Sequence, residues 1–291
     1  MFKGSGVAIV TPFTQNDEVN YEKLSELIEW QIQEGTDAII ACGTTGEAPT
    51  LSDDEHKQVI KHCVDVVAGR VPVIAGTGSN DTAYAIQMSK HAEEVGADGL
   101  LIVAPYYNKP TQRGLVANFE AIADAVKIPI ILYNVQGRTG VNIEPQTVAT
   151  LAKHPNIVGI KEASGNISQV AEIARLMPED FYMWSGNDDM IVPLMSLRGD
   201  GVISVIANVA PRDTHNLVQY FLDGKYKEST DLQLNMKPLV DALFCETNPI
   251  PVKTALNLMG KEVGHLRLPL YEMAEDTLAR LESELKAYNL L

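Results

Sequence analysis

The sequence is poor in basic residues and contains no long apolar segment. Lys and Arg number 23 against 38 Asp and Glu, so the net charge of the 291 residues is −15. Nucleic-acid-binding proteins usually carry a basic surface for the phosphates, so this charge excludes nucleic acid as an expected partner. No stretch approaches the roughly 20 apolar residues that span a bilayer, which excludes a membrane-spanning helix as an expected element.

Cysteines are also scarce. The three present, Cys42, Cys63 and Cys245, are widely spaced and form no Cys-x-x-Cys pair, which favours a reducing compartment. The apolar run before Thr11 is only four residues long, which is too short for a signal peptide. The apolar fraction of 45% and the charged fraction of 21% are typical of a globular protein. We therefore expect a cytoplasmic globular protein.

Eight short apolar runs alternate with amphipathic segments. Each run has the length of a strand and is bounded by Gly, Pro, Asn or Asp. The runs are residues 7–10, 38–42, 71–75, 100–104, 128–133, 157–160, 181–184 and 202–206. Continuous apolar runs are typical of strands that are covered on both faces, as in a parallel sheet. Eight such units in series predict an α/β fold of the closed (β/α)₈ TIM-barrel type. A doubly wound open sheet is the alternative, but the dinucleotide-binding fingerprint that usually follows its first strand is missing.

The segments between the runs predict the helices, and polar residues mark where these begin. Helix-like patterns cover residues 21–34, 53–67, 81–95 and 113–126. The predicted N-cap residues are Ser52, Asn80, Thr111, Asn142 and Asn166. After Gly224 the strand signals stop. The sequence therefore predicts a barrel domain at 1–224 and a C-terminal helical extension at 225–291, with a break at 248–251.

Lys161 ends an otherwise apolar strand. Alternation along the strand places Ile157, Gly159 and Lys161 on one face. If that face points into the barrel, desolvation favours the neutral amine, which is the nucleophile in Schiff-base chemistry. The alternative is a lysine that extends to solvent from the strand end. The strand pattern alone leaves both interpretations open.

Tyr133 favours the catalytic interpretation, because it ends the preceding strand on the same face as Ile131. A phenol beside the amine could shuttle protons while an imine forms and breaks. The alternative is a core tyrosine with one hydrogen bond. Thr44 and Thr45 lie between glycines in a loop that could offer backbone N–H groups to a carboxylate, or be an ordinary turn.

No cofactor or metal is expected from the residues. The six histidines are scattered, and His56 and His62 are six positions apart, a spacing that does not place two metal ligands on one helical face. Gly76 and Gly78 lack the third glycine of a dinucleotide fingerprint and the GK[ST] of a P-loop. The acidic pair Asp188 and Asp189 is interpreted as a helix start.

Three motifs lie at the predicted strand ends: Gly-Thr-Thr-Gly-Glu at 43–47, Tyr-Asn-Val-x-x-Arg-Thr at 133–139 and Gly-Ile-Lys-Glu-Ala at 159–163. Together they resemble the dihydrodipicolinate synthases, also called 4-hydroxy-tetrahydrodipicolinate synthases, of the pyruvate-dependent lyase superfamily. The resemblance continues through Gly-Val-Ile-Ser-Val at 201–205 and Asn-Pro-Ile-Pro-Val-Lys at 248–253. It implies a barrel enzyme, usually a homotetramer with a dimer as the alternative, that condenses pyruvate with L-aspartate 4-semialdehyde.

The resemblance also implies roles for individual residues. Lys161 would form the imine with pyruvate. Thr44, Tyr133 and Tyr107 would form a proton relay, with Tyr107 reaching in from a neighbouring subunit. The residues implied in substrate binding are Thr45, Arg138, Gly186 and Ile203. The family usually has Pro where this chain has Gln136, so the loop before Arg138 lacks that stiffening.

Two other functions remain open. Another aldolase of the superfamily, such as N-acetylneuraminate lyase or a keto-deoxy sugar acid aldolase, would keep the lysine and the tyrosine but typically lack an arginine at position 138. A non-catalytic barrel that binds small metabolites is the rival from another class.

The resemblance further predicts a vestigial effector site. Lysine-inhibited members bind lysine between subunits with a Glu at the position of Tyr84 and commonly a His at the position of Asp53. His56, Asn80 and Tyr106 match the family here. Because a buried ammonium needs an anionic partner, we expect lysine to inhibit weakly or not at all.

Overall fold

The computed structural model describes all 291 residues and contains eight parallel strands that close into one barrel. The strands follow one another in chain order, and the eighth pairs with the first. Their bounds are β1 Gly4–Ala8, β2 Ala38–Ala41, β3 Val73–Gly76, β4 Gly99–Val103, β5 Ile130–Asn134, β6 Ile157–Glu162, β7 Tyr182–Ser185 and β8 Gly201–Ser204. The predicted barrel is therefore confirmed, and closure rules out the open sheet.

Helices follow the strands and cover the barrel. They are α1 Tyr21–Gln33, α2 Asp53–Val67, α3 Thr82–Glu94, α4 Gln112–Asp124, α5 Gln136–Thr139, α6 Pro145–Leu151, α7 Ile167–Leu176, α8 Ile191–Met195, α9 Pro211–Leu222, α10 Tyr226–Leu243, α11 Ile250–Leu258 and α12 Glu275–Ala287. Short 3₁₀ turns occur at Ala48–Thr50, Asp188–Met190 and Ile206–Asn208. None of the helices combines the length and the apolar character needed to cross a membrane.

The core has two layers, one on each face of the barrel wall. The outer cluster contains 66 buried residues from strands and helices, and the inner cluster contains 11. In β5, Ile131 and Tyr133 belong to the inner cluster, whereas Leu132 belongs to the outer one. Phe2 stacks on Trp184 in the interior, with ring centroids 5.0 Å apart. Because side chains fill the interior, a site is expected at the carboxyl ends of the strands.

Two prolines explain why β3 and β5 begin later than predicted. The predicted runs include Pro72 and Pro129, which have no N–H to donate to a strand ladder. Each proline contributes only its carbonyl, which accepts an amide hydrogen bond of 2.9 Å from the preceding strand. The regular pairing then starts at Val73 and at Ile130.

Strand β8 ends at Ser204, before the predicted end at Ile206. Oδ2 of Asp188 accepts hydrogen bonds of 2.9 Å from both Val205 N and Ile206 N. These two bonds take the amides away from the sheet, and a 3₁₀ turn begins there. Asp188 starts a short helical turn as predicted, but its side chain also ends the neighbouring strand.

Strand β1 begins at Gly4, earlier than the predicted start at Val7. Gly4 pairs with Gly201 of β8, and a Cβ on Gly201 would lie 1.9 Å from the Gly4 oxygen. Gly201 also has φ +145°, a conformation that other residues rarely adopt. Barrel closure therefore depends on glycines, which a search for apolar runs overlooks.

Most predicted helix starts are correct. Ser52, Thr111 and Asn166 cap α2, α4 and α7 with their side-chain oxygens. Helix α3 is capped by Asp81 instead of the predicted Asn80, and Asp81 Oδ1 accepts a hydrogen bond of 2.9 Å from the backbone two residues on. Asp81 directly precedes the first helical residue, so its carboxylate can accept hydrogen bonds from the unpaired amides of the first turn.

The prediction for Asn142 is wrong. Helix α6 begins only at Pro145, after an N-cap at Glu144. The Asn142 side chain bonds instead to Asn134 at 2.8 Å and to Gln169 at 2.7 Å. It therefore holds the loop after β5 against the barrel and caps no helix.

The sequence predicts a helical extension at 225–291 with one break, but the chain after Gly224 contains a second non-helical segment. Residues 244–249 separate α10 from α11, and an irregular segment at 259–274 separates α11 from α12. Phe13 N donates to Val263 O at 3.0 Å, which ties that segment to the barrel. The predicted break ends at Pro249, because Pro251 fits the first turn of α11. The division into domains at 224 and 225 stays a prediction.

Candidate active site

Lys161 and Tyr133 lie side by side at the mouth of the barrel. The two residues are direct partners in the pairing of β5 with β6. Lys161 is only 5% exposed, and its Nζ lies 4.4 Å from the centroid of the Tyr133 ring. Both side chains face the interior, so the predicted juxtaposition is present and the solvent-extended lysine is excluded.

The predicted alternation along β6 holds for Gly159 and Lys161 but not for Ile157. The pairing of β5 with β6 is irregular after Ile130, and Ile157 packs in the outer cluster. A Cβ on Gly159 would lie 2.7 Å from a ring carbon of Trp184. The glycine therefore leaves room for that ring inside the barrel, below the lysine.

A cavity of about 180 Å³ opens beside the lysine and the tyrosine. Its other lining residues include Thr44, Thr45, Arg138, Gly186 and Asn248. Drug-sized ligands usually occupy pockets of roughly 300–1,000 Å³, so this cavity suits a molecule of a few heavy atoms. Five of the residues predicted for catalysis or substrate binding therefore share one small cavity with Lys161.

The loop that carries Thr44 and Thr45 turns without help from a left-handed glycine. The left-handed residues are Cys42, with φ 53°, and Glu47, with φ 56°. Gly46 fits a crowded place instead, because a Cβ there would lie 3.2 Å from a backbone oxygen of the first βα loop. Thr45 is 2% exposed, and its hydroxyl accepts a hydrogen bond of 3.0 Å from the side-chain amide (Nδ2) of Asn248.

Arg138 lies at the rim of the cavity on the single-turn helix α5. Its Nη2 donates to Asn248 O at 2.9 Å. That bond uses one of the five N–H donors of a guanidinium. Gln136 begins the helix and is exposed. At this position the chain lacks the proline that is usual in the family, and the hydrogen bond from Arg138 to Asn248 holds the loop instead.

Gly186 touches the lysine directly. A Cβ there would lie 2.6 Å from Ala163 Cβ and 3.0 Å from Lys161 Cε. Ile203 lies deeper in β8, fully buried in the inner cluster, and Val205 forms the cavity wall on that side.

Tyr107 does not reach the cavity of its own chain. It is 89% exposed and has φ 70°, a left-handed conformation that is uncommon for tyrosine. The loop therefore presents the ring outward.

The residues of the predicted effector site lie around a second cavity of about 520 Å³. Four of them line it, namely Asp53, His56, Tyr84 and Tyr106. Asn80 does not line this cavity, and its backbone oxygen accepts a hydrogen bond. The Tyr84 hydroxyl donates to Asp53 Oδ1 at 2.8 Å. Burial, together with the Asp53 carboxylate, raises the pKa of Tyr84 to about 12. Burial lowers the pKa of His56, whose Nε2 lies 2.9 Å from a backbone carbonyl.

The two cavities share a wall. Thr44, Tyr133, Arg138 and Asn248 line both of them. A molecule in the larger cavity would therefore contact residues that also surround Lys161.

Sequence reasoning missed Asn248 and the true position of Asp188. Asn248 contacts both Thr45 and Arg138, yet the sequence marked it only by the break before Pro249 and by the motif at 248–253, and neither indicated these contacts. Asp188 is 2% exposed, and burial raises the pKa of its carboxyl while its amide donors and the Lys161 charge oppose the rise. In the sequence, the adjacent acidic residues Asp188 and Asp189 look the same whether the first is buried or lies at an exposed helix start.

The fold is that of a barrel enzyme, with a buried lysine at the carboxyl ends of the strands. Residues 1–288 match the Dihydrodipicolinate synthetase family, and the chain belongs to that family. A relative, the 4-hydroxy-tetrahydrodipicolinate synthase of Acetivibrio thermocellus, is 60% identical over 291 residues, which cover 100% of this chain and 99% of that protein.

Solved structures agree with this assignment. The dihydrodipicolinate synthase of Thermotoga maritima has a TM-score of 0.98 at 45% identity and covers 100% of both chains. The enzyme of Cyanidioschyzon merolae, solved with lysine bound, has a TM-score of 0.97 at 42% identity and covers 100% of this chain and 99% of its own.

Proposed function

We propose that the chain condenses pyruvate with L-aspartate 4-semialdehyde to give 4-hydroxy-tetrahydrodipicolinate, a step of lysine and diaminopimelate biosynthesis. The observation that carries the proposal is the pairing of Tyr133 with Lys161 inside a closed barrel, in a chain that belongs to the family.

The chemistry begins with the lysine amine. The amine of Lys161 attacks the pyruvate ketone, and water leaves to give an imine. Loss of a methyl proton gives the enamine, whose carbon attacks the aldehyde of the semialdehyde. The amine of the bound semialdehyde then displaces the lysine, closing the ring and freeing Lys161. Each step moves a proton, and we assign its transfer to the phenol of Tyr133, whose ring centroid lies 4.4 Å from Lys161 Nζ.

The remaining roles are the ones that the family resemblance implies. Thr44 and Tyr107 complete the relay, with Tyr107 supplied by a neighbouring subunit. Thr45 holds the pyruvate carboxylate, and Arg138 at the cavity rim binds the carboxylate of the semialdehyde through its planar fork. Gly186 and the backbone near Ile203 bound the pocket.

The exposure of Tyr107 supports an assembled enzyme, because its own chain gives the ring nothing to bind. Together with the family resemblance, this exposure leads us to propose a homotetramer, with a dimer as the alternative. The proposed location is the cytoplasm.

Borohydride reduction in the presence of pyruvate tests the imine. We expect one reduced pyruvyl group per chain, attached to Lys161, and Lys161→Ala should neither be labelled nor retain activity. Labelling of another lysine, or of none, would contradict the mechanism. Assays of condensation against cleavage of sialic acid and keto-deoxy sugar acids separate the proposal from the other aldolases. A chain that binds pyruvate without turnover of any of these would be a binding barrel.

The larger cavity is a vestigial effector site in this proposal. Tyr84 offers a neutral phenol where the lysine-inhibited enzymes offer a carboxylate, and its hydroxyl already occupies one oxygen of Asp53. A free lysine would therefore have to displace that hydrogen bond to pair its ammonium. Little inhibition is expected at millimolar lysine. Strong cooperative inhibition below about 1 mM, a binding free energy near 4 kcal/mol, would contradict this expectation.

A further inference from the structure

The C-terminal helices reach the candidate active site through a buried ion pair that the catalytic scheme does not use. Nζ of Lys253, on α11, lies 2.7 Å from Oε1 of Glu47. The side chains of Lys253 and Glu47 are 1% and 0% exposed. Because an unpaired buried charge is costly, each of these residues constrains the position of the other.

All three donors of the Lys253 ammonium are used. Besides Glu47, they reach Thr11 O at 3.1 Å and His265 O at 2.5 Å. The ammonium also lies 4.2 Å from the centroid of the Phe13 ring. Burial lowers the pKa of Lys253, and the charge of Glu47 opposes that shift. The lysine therefore joins the loops after β1 and β2 to the C-terminal helices.

Glu47 is held from several sides in an unfavourable backbone conformation. Its φ of 56° is left-handed, which a non-glycine residue adopts only at a cost. Its second carboxylate oxygen accepts a hydrogen bond of 3.1 Å from Arg267 N. Its own amide donates to Thr44 O at 3.1 Å. The ion pair therefore supports the turn that presents Thr44 and Thr45 to the cavity.

A second contact reaches the same loop from the same helix start. Asn248, just before α11, donates to the Thr45 hydroxyl at 3.0 Å. The loop after β2 is thus fixed at both Thr45 and Glu47 by residues 248 and 253, which are more than 200 positions away in the sequence.

We propose that Lys253 is a positioning residue for the pyruvate carboxylate, acting through Glu47 on the Thr44–Thr45 loop. This inference rests on the role given to Thr45 in the proposed function. The catalytic Lys161 and Tyr133 lie on β6 and β5, which the ion pair does not contact. Loss of the pair should therefore weaken pyruvate binding more than it impairs the chemistry or the use of the semialdehyde.

The test compares Lys253→Met with Thr45→Val in the full-length enzyme. The primary measurement is the pyruvate concentration that gives half-maximal borohydride trapping, followed by intact mass. KM values for both substrates and the unfolding temperature are measured in parallel. Lys237→Met is the matched control, because Lys237 forms an exposed ion pair with Asp241 on α10.

For Lys253→Met we expect the half-saturating pyruvate concentration to rise about tenfold, with trapping at saturation unchanged and the semialdehyde KM altered less than about twofold. Lys237→Met should bind pyruvate as the unmodified enzyme does. Glu47→Gln keeps a hydrogen-bond acceptor for the lysine but removes its counter-charge, so we expect a folded enzyme with a lower unfolding temperature and a smaller rise in the half-saturating pyruvate concentration.

A lower unfolding temperature with unchanged pyruvate saturation would overturn the proposal, because the pair would then be structural only. If Lys253→Met does not fold, unchanged saturation in Glu47→Gln has the same meaning. A Thr45→Val enzyme with normal pyruvate saturation would instead overturn the role of Thr45 in the proposed function, so the two failures are distinguishable.

Discussion

The contact between Gly186 and Lys161 allows the position of the amine to be tested with a single methyl group. In Gly186→Ala, the new Cβ would lie 2.6 Å from Ala163 Cβ, 3.0 Å from Lys161 Cε and 3.2 Å from Lys161 Cγ. Carbon atoms in contact prefer separations of about 3.5–4.0 Å. The methyl therefore overlaps Ala163 by about 1 Å and the lysine by about half as much.

The backbone around Gly186 has little freedom to relieve this overlap. Gly186 N donates to Glu162 O at 2.8 Å, and Ala163 N donates to Asn134 O at 2.9 Å. Gly186 does not have a left-handed φ, so alanine adds no backbone strain. The flexible Lys161 side chain is the group that can move, and it must move away from its present place.

Overpacking of this kind costs about 1–3 kcal/mol of stability. A misplacement approaching 1 Å can cost about 100-fold in rate. We therefore expect kcat in Gly186→Ala to fall about 10- to 100-fold and borohydride trapping to slow in parallel. Steady-state condensation assays and the trapping rate, measured at saturating pyruvate, check both numbers.

Two further variants separate crowding of the lysine from general damage. In Gly137→Ala the new Cβ meets nothing within 4 Å, so rate and stability should hold. Adding Ala163→Gly to Gly186→Ala removes the 2.6 Å contact but leaves both contacts with Lys161. The unfolding temperature should then recover more than the rate does. Normal trapping in Gly186→Ala would refute the reasoning, because the amine would tolerate the methyl in place.

Three other predictions concern separate parts of the molecule. Arg138→Ala should raise the KM for the semialdehyde and lower kcat while imine formation survives; loss of the imine with normal semialdehyde use would show that the role is wrong. Tyr107→Phe should lower kcat, and activity should follow the oligomer in sedimentation; a fully active monomer would contradict the shared relay. The hydrogen bond from Arg267 lowers the pKa of Glu55 to about 2, below its unfolded value of about 4.3. The stabilisation of the fold by the Glu55 carboxylate is therefore complete above the unfolded pKa and lost as pH falls toward 2. In calorimetry, the difference in unfolding temperature between the enzyme and Glu55→Gln should shrink over that pH range. A constant difference would contradict this prediction.

The strands and the central pair of the site were predictable because they depend on local patterns and chain order. Apolar runs indicated eight strands, and sequential order in a barrel made the strands of Tyr133 and Lys161 neighbours. The strand ends depended on other features, such as the missing N–H of Pro72 and the carboxylate of Asp188, which binds amides 17 and 18 positions away.

The contacts that hold the site together were not predictable from local patterns. Asn248 reaches Thr45 across 203 positions, and Lys253 reaches Glu47 across 206. A polar residue in a loop and a lysine in a helix look the same in sequence whether they are exposed or buried. Only the folded chain shows that both residues serve the loop after β2.

The meeting of Gly4 with Gly201 has a consequence for folding and synthesis of the chain. A barrel has no free edge once it closes, but this closure waits for a strand that lies 197 positions after the first (201 − 4 = 197). Until β8 arrives, β1 and β7 present unpaired N–H and C=O groups, which are templates for pairing with other chains. A chain cut short before Gly201 would keep both edges open, so the last strand protects the two strands beside it from misassembly.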